Sequence, residues 1–264
     1  PDKLIHLFDK NTFEHLASST YQGQGPDEIT IIGHVGIDET NRRFFVSDHG
    51  KLKIFAYDLD SVLTTPEYQP SVKIDMKKKL FPDDYLYLND TLCIAKIIEP
   101  IGNNDYKPSV ARWNMATGEI NPMPYEYPDL KKVRFIYAAS AEHQLYVQCY
   151  TQYDLMTICD FNGNLKCNIY GPKWVNEKTQ TQHYSLGVEF CGDKILALYS
   201  GGDHRTDAYY PTKFLVFDLN GNYLKTLETG YMITDFCYDK ENNRLIINLN
   251  DEIQFTYLDL EGII

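Results

Sequence analysis

The segment YSGGDHRTDAYYPTK, residues 199–213, gathers more chemistry than any other stretch of the chain. Gly201 and Gly202 permit backbone geometry closed to other residues. Asp203, His204, Arg205 and Asp207 supply charge and a titratable imidazole, and Tyr209 and Tyr210 supply flat stacking surfaces. Such a set suits recognition of a sugar, a carboxylate or a peptide, and equally forms a solvated loop whose charges pair locally. His183 and Tyr184 follow the polar connection NEKTQTQ and are candidates for the same rim, with His183 expected first as a structural histidine. These eight residues are the candidate ligand-binding set. No catalytic residue emerges, because the chain has no nucleophile elbow, P-loop or H-E-x-x-H motif.

Other patterns carry less. In YQGQGPDEI (21–29), Glu28 stands where a dinucleotide fingerprint needs its third glycine, and ITIIGHVGID continues as strand. Gly23 and Gly25 are therefore expected to turn a corner stiffened by Pro26, with Asp27 and Glu28 capping amides there or facing a channel mouth. The turns DFNGN and DLNGN resemble the start of a calcium loop but fail on register. A loop begun at Asp160 meets Leu165 and Gly171, and one begun at Asp218 meets Tyr223 and Thr229, where glycine and glutamate are required. His34 is expected as a satisfied core residue, and Asp48 and His49 as an ordinary turn. The six cysteines stand singly in apolar segments and are expected as small buried hydrophobes, with no zinc spacing and no disulfide framework. No metal site or cofactor is expected; a calcium ion in a central channel is left open.

These residues must be positioned by sheet. The chain has 264 residues, 43% hydrophobic, with 21 Tyr and 13 Phe against 2 Trp, a composition suited to pleated, half-buried surfaces. An apolar run ending in Asp or Asn and then a turn recurs six times, at Asp9, Asp58, Asn114, Asp160, Asp218 and Asp259, at intervals close to the ~40–50 residues of a propeller blade. Each run is followed by one more strand-like segment, and most are preceded by two. The unit is four antiparallel strands, and such units bury their faces by radial stacking, which makes this one all-β domain, a six-bladed β-propeller or alternatively a five-bladed one. AASAEHQL (138–145) has helical propensity, but its place in the repeat predicts strand, turn, strand. The first repeat opens at its third strand and the last lacks its fourth, so strands upstream of Pro1 are expected.

The segments DKLIHLFDKNTFEHLASSTYQGQGPDE and HVGIDETNRRFFVSDHGKLKIFAYDLD resemble the opening of the TolB-like six-bladed propeller family of Bacteroidetes, and KFLVFDLNGNYLKTLETG suits its fifth blade. The same motifs are shared more loosely with NHL and YWTD propellers. The resemblance implies a bacterial cell-envelope setting, periplasmic or as an outer-membrane lipoprotein with its lipid anchor upstream, and proteins mostly without assigned function.

Charge narrows the partners. A net charge of -12 repels a phosphate backbone, so nucleic acid is not expected, and the basic cluster MKKK (76–79) is expected as a solvated loop. No apolar run is long enough to span a membrane as a helix. Two functions follow. The first is a non-enzymatic binding or scaffold propeller that recognises a protein, peptide or glycan through its loop face. The alternative is a metal-dependent hydrolase or lyase with a divalent ion held in the channel by converging acids and amides.

Overall fold

The computed structural model describes residues 3–76, 80–102, 105–128, 130 and 132–264. The three lysines of the 76–79 cluster and the side chain of Asp207 lie outside the described residues. The chain forms two compact units, Pro1–Pro122 and Met123–Ile264. It is an all-β propeller built from four-stranded antiparallel blades.

In the first unit, β1 (Lys3–Phe8) and β2 (His15–Tyr21) form a two-stranded sheet. Two four-stranded sheets follow: β3 (Ile32–Asp38), β4 (Arg43–Asp48), β5 (Lys53–Asp58) and β6 (Ser71–Asp75), then β7 (Phe81–Asn89), β8 (Leu92–Gly102), β9 (Asp105–Asn114) and β10 (Glu119–Pro122). The second unit holds β11 (Phe135–Ser140), β12 (Leu145–Tyr150), β13 (Leu155–Asp160) and β14 (Leu165–Tyr170) in one sheet. The next contains β15 (Thr181–Cys191), β16 (Lys194–Asp203), β17 (Lys213–Asp218) and β18 (Tyr223–Glu228), and a three-stranded sheet closes the unit with β19 (Ile233–Asp239), β20 (Arg244–Leu249) and β21 (Phe255–Asp259). Strands pair in chain order throughout.

The recurrent Asp or Asn has a common job: its side chain accepts the backbone N–H groups of the turn that follows. Asp160 Oδ1 accepts from Asn162 N (2.8 Å) and Asn164 N (2.9 Å), and Asp218 Oδ1 repeats this with Asn220 N (2.9 Å) and Asn222 N (2.8 Å). Asp9 accepts from Asn11 and Thr12, Asn114 from Ala116 and Thr117, and Asp259 from Glu261. These side chains replace partners the backbone loses at the strand end. Gly163 completes the 160–164 turn at φ 78°, with Pro124 packed so closely that an added Cβ would lie 2.3 Å from its Cδ. In the second blade the same residue type does something the sequence reading missed: Asp58 caps a short helix, α1 (Leu59–Thr64), by accepting from Ser61 N at 2.8 Å.

The sheets stack through both faces, because successive side chains on a strand point to opposite sides. On β4, Phe44 and Val46 join a core with Ile5, Ile29 and Tyr57, whereas Phe45 between them joins Phe81, Tyr85 and Trp113. In the second unit, Ile195, Ala197 and Tyr199 of β16 pack with Val147, Met156 and Tyr184, while Leu196 and Leu198 pack with Phe214, Phe236 and Leu245. Residues 138–145 are strand, turn and strand as expected. Of the cysteines, Cys93, Cys149, Cys159 and Cys191 are buried; Cys167 is half-buried and Cys237 exposed, which corrects the expectation for those two, and all six are free thiols.

Residues 97–102 and 105–109 extend the β8–β9 hairpin, paired from Ile97↔Ser109 through Glu99↔Lys107 to Gly102↔Asp105. The 22–29 corner is a turn as expected. Gly25 N donates to Glu28 Oε2 (2.7 Å), and Lys51 Nζ donates to the carbonyls of Gly25 and Glu28.

Candidate functional site

In each complete blade, the turn between second and third strands and the connection entering the first strand lie at the same end of the sheet. In the second unit this end brings together residues 151–154, the connection 171–180, the start of β15 and the segment 203–212. Backbone bonds tie them: Thr179 N donates to Gln152 O (3.2 Å), His183 N to Thr151 O (2.8 Å) and His204 N to Gln180 O (3.1 Å).

The 199–213 segment is shorter as a loop than its sequence suggests. β16 runs to Asp203, pairing Gly202 with Gln182 and Asp203 with Thr181 after its pairing with β17 ends at Tyr199↔Lys213. The rest folds back on itself. Ser200 Oγ donates to Ala208 O (2.6 Å), and a Cβ on Gly202 would lie 1.9 Å from that oxygen, so only glycine allows this approach. Asp203 and Arg205 pair with each other. Arg205 donates to both oxygens of Asp203, Nε to Oδ1 at 3.1 Å and Nη2 to Oδ2 at 2.8 Å, and this guanidinium holds the exposed Asp203 carboxyl far below the usual range. His204 Nδ1 donates to Gln180 O at 2.8 Å. Tyr209 and Tyr210 stack on each other, centroids 4.3 Å apart and planes at 28°, and both are half-buried.

His183 and Tyr184 do not reach the surface, which rules out the rim for both and agrees with the structural role expected of His183. Tyr184 is 1% exposed and packs edge-on against Tyr199 at 5.3 Å. His183, also 1% exposed, belongs to a buried trio with Asp154 and Tyr199. Tyr199 Oη donates to Asp154 Oδ1 (3.3 Å) and lies 3.2 Å from His183 Nδ1, which is 3.7 Å from the same carboxylate oxygen. The tyrosine has one proton and gives it to the carboxylate, so His183 donates through Nδ1 and leaves Nε2 unprotonated, 3.4 Å from Thr179 Oγ1. Asp154 Oδ2 accepts from Lys173 N (2.9 Å), and a Cβ on Gly171 would sit 2.2 Å from the carboxylate, so the connection lies directly over the trio.

The connection 171–180 carries a feature that sequence reasoning missed. Trp174 stands among Tyr170 (5.1 Å, edge-on), Tyr127 (5.9 Å) and Tyr153 (6.3 Å), with Trp174 and Tyr127 half-buried and Tyr170 half exposed. One of only two tryptophans, placed in a Gly-Pro-Lys connection, was the available signal.

The corresponding end of the first unit is polar and ionic. His34 is half-buried with Nδ1 3.0 Å from Asp84 Oδ1 and its ring against Tyr85, so it is a polar partner of Asp84 and not the core histidine expected. Lys96 pairs with Asp83 at 2.7 Å, and His49 Nε2, 4.0 Å from Asp83, has no hydrogen-bond partner among the described residues. Asp48 is fully buried and accepts from Thr30, Ile31, Gly50 and Lys51 N–H groups. Among the described residues, no group of three or more His, Cys, Asp or Glu side chains is placed to hold a metal ion, and no helix is long and apolar enough to cross a membrane.

Burial pushes His183 and His49 below the ordinary imidazole value of 6.5, with Lys173 and Lys96 acting in the same sense and Asp154 and Asp83 opposing. Below pH 6.5 the unfolded chain therefore binds protons that the folded chain does not. The stability that neutral burial contributes is complete above about pH 6.5 and is lost as pH falls through the lowered folded values. Urea midpoints are expected to fall between pH 7 and 5, less steeply in His183→Gln; an unchanged slope in that variant would remove His183 from the account.

A family described as a 6-bladed beta-propeller, DUF5128, matches residues 5–91. No curated protein matches the chain at a significant level. Among solved structures, a member of the duf4221 family from Bacteroides vulgatus is similar at a TM-score of 0.63 and 12% identity, covering 96% of this chain and 86% of its own. The extracellular domain of a proposed one-component system, BT4673, from B. thetaiotaomicron is similar at a TM-score of 0.59 and 11% identity. That match covers 97% of this chain, which spans 31% of the other. A nidogen/laminin complex gives a TM-score of 0.59 at 12% identity, covering 96% of this chain and 82% of that one. At these identities the likeness is one of fold: a β-propeller domain, similar to propellers of Bacteroides proteins that include an extracellular domain.

Proposed function

We propose that the chain is a non-enzymatic binding propeller of a bacterial cell envelope that recognises a protein, peptide or glycan through the end of the second unit formed by residues 171–180 and 203–212. The observation that carries this reading is the continuity of that surface. One connection bears Trp174 in its aromatic group at one end and hydrogen-bonds His204 of the folded-back segment at the other. Rigid aromatic faces beside polar groups held by local pairs give contact area at low entropy cost. The envelope setting draws on the likeness to an extracellular Bacteroides domain, and the narrower TolB-like kinship and an upstream lipid anchor belong to the same reading.

A thermal-shift screen against neutral oligosaccharides and unstructured peptides tests it, since a ligand selective for the native state raises the melting temperature. At least one probe is expected to raise it by several degrees at saturating concentration, and the shift is expected to disappear in Trp174→Ala and to shrink in His204→Ala. Absence of any probe whose shift is reduced in Trp174→Ala or His204→Ala, or turnover of any probe, would overturn the proposal.

A further inference from the structure

The first unit holds a cleft of about 450 Å³, formed by the end of β2, the 25–28 corner, and the end of α1 with the segment up to Gln69. That volume falls in the ~300–1,000 Å³ range of small-molecule sites. Its lining is rich in hydroxyl groups, among them Ser18, Thr64 and Thr65, with the rings of Tyr21 and Tyr68.

Two groups in it are unspent. Thr20, 7% exposed, holds a φ of 64°, a backbone state that β-branched residues rarely take, and its Oγ1 lies 2.6 Å from Tyr57 Oη. Tyr57 is fully buried, and burial pushes its phenol up to about 12, so it stays protonated at neutral pH. Two hydroxyls carry two protons, and the bond between them uses one. No acceptor among the described residues takes the other. The second group is Asp27, half-buried in the corner fixed by Glu28 and Lys51, whose carboxylate has no hydrogen-bond or ion-pair partner among the described residues.

We infer that this cleft is a binding site for a neutral polyhydroxylated molecule, the size of a mono- or disaccharide. The Thr20–Tyr57 pair has a hydroxyl proton to give and Asp27 has lone pairs to fill, and a sugar hydroxyl both accepts and donates. Anions suit it less, and its hydroxyl-rich lining matches a neutral polyol better than a cation. The Lys3 ammonium, bonded to Ser18 O (3.1 Å), 3.7 Å from Glu67 and 5.3 Å from the Tyr21 ring centre, offsets part of the acidic lining. Asp27, Glu28 and Glu67 oppose an anion. The site lies within the first unit and does not depend on the second unit's surface.

The test is calorimetric titration of the whole chain with glucose, galactose, mannose, N-acetylglucosamine and maltose, with putrescine and glucuronate as charged comparators. Saturable binding of at least one neutral sugar is expected. Asp27→Asn is expected to weaken it about tenfold, the scale of one charge-assisted hydrogen bond. The isosteric Tyr57→Phe is expected to weaken it severalfold, and Trp174→Ala to leave it unchanged. Three results would each overturn the inference: no saturable binding of any neutral sugar, tighter binding of putrescine or glucuronate, or affinities unchanged in both Asp27→Asn and Tyr57→Phe. A loss confined to Trp174→Ala would also do so, by assigning the sugar to the other unit.

Discussion

Asp48→Ala is expected to destabilise the protein by about 3–5 kcal/mol, with a much smaller loss in Asp48→Asn. Asp48 is fully buried, and its two oxygens receive four backbone N–H groups at 2.8 to 3.1 Å: Thr30 and Ile31 from the connection entering β3, Gly50 and Lys51 from the turn after β4. A lost hydrogen bond to a charged group is worth ~1.5–3 kcal/mol, and hydration of the freed donors at exposed Ile31 and Gly50 brings the sum of four into the expected range. Asparagine keeps one accepting oxygen and the same shape. Although burial alone would raise the Asp48 pKa, the four N–H bonds outweigh it and hold the carboxyl below its ordinary 3.8. The stabilisation is therefore present above about pH 3.8 and lost as pH falls through the lowered folded value. Chemical denaturation of the three proteins at pH 7 and pH 3 measures both effects, and equal midpoints for Asp48→Ala and wild type at pH 7 would refute them.

Asp154→Leu is expected to cost a similar ~3–5 kcal/mol, for a different reason. Leucine fills the volume but leaves Tyr199 Oη and Lys173 N without their acceptor inside a site 1% exposed at Asp154 and 8% at Tyr199. It also puts methyl groups where the backbone at Gly171 approaches the carboxylate. The same lesion frees the connection 171–180, so hydrogen exchange there is expected to accelerate more than in β12 or β13. Uniform acceleration across all strands would show that the trio supports global stability without holding the connection.

Much of this was legible in the chain because it is written locally. Asp9, Asn114, Asp160, Asp218 and Asp259 act through N–H groups two to four residues away, so the turn chemistry and the repeat it marks could be read one segment at a time. Asp58 misled for the same reason: its side chain satisfies a helix N-terminus as well as a turn, and the segment before β6 was long enough to hold that helix. Pro100 and Pro108 punctuate the sequence as loop residues, yet both pair across the β8–β9 hairpin. The candidate site was harder. Trp174 gains its meaning from Tyr127, Tyr153 and Tyr170, which are brought to it by tertiary structure. His183 is buried because irregular pairing on β15, with register shifts on either side of Tyr184, sets which side chains turn inward. Spacing along the chain does not record such a shift.

The most direct test of the binding account is a hydrogen-exchange comparison of the free protein with the protein saturated by a glycan or peptide whose stabilising effect shrinks in His204→Ala. Protection concentrated in residues 171–183 and 203–212, and absent when Trp174→Ala is mixed with the same probe, is the predicted result. Protection spread evenly over the strands, or confined to segments away from this end of the second unit, would contradict it.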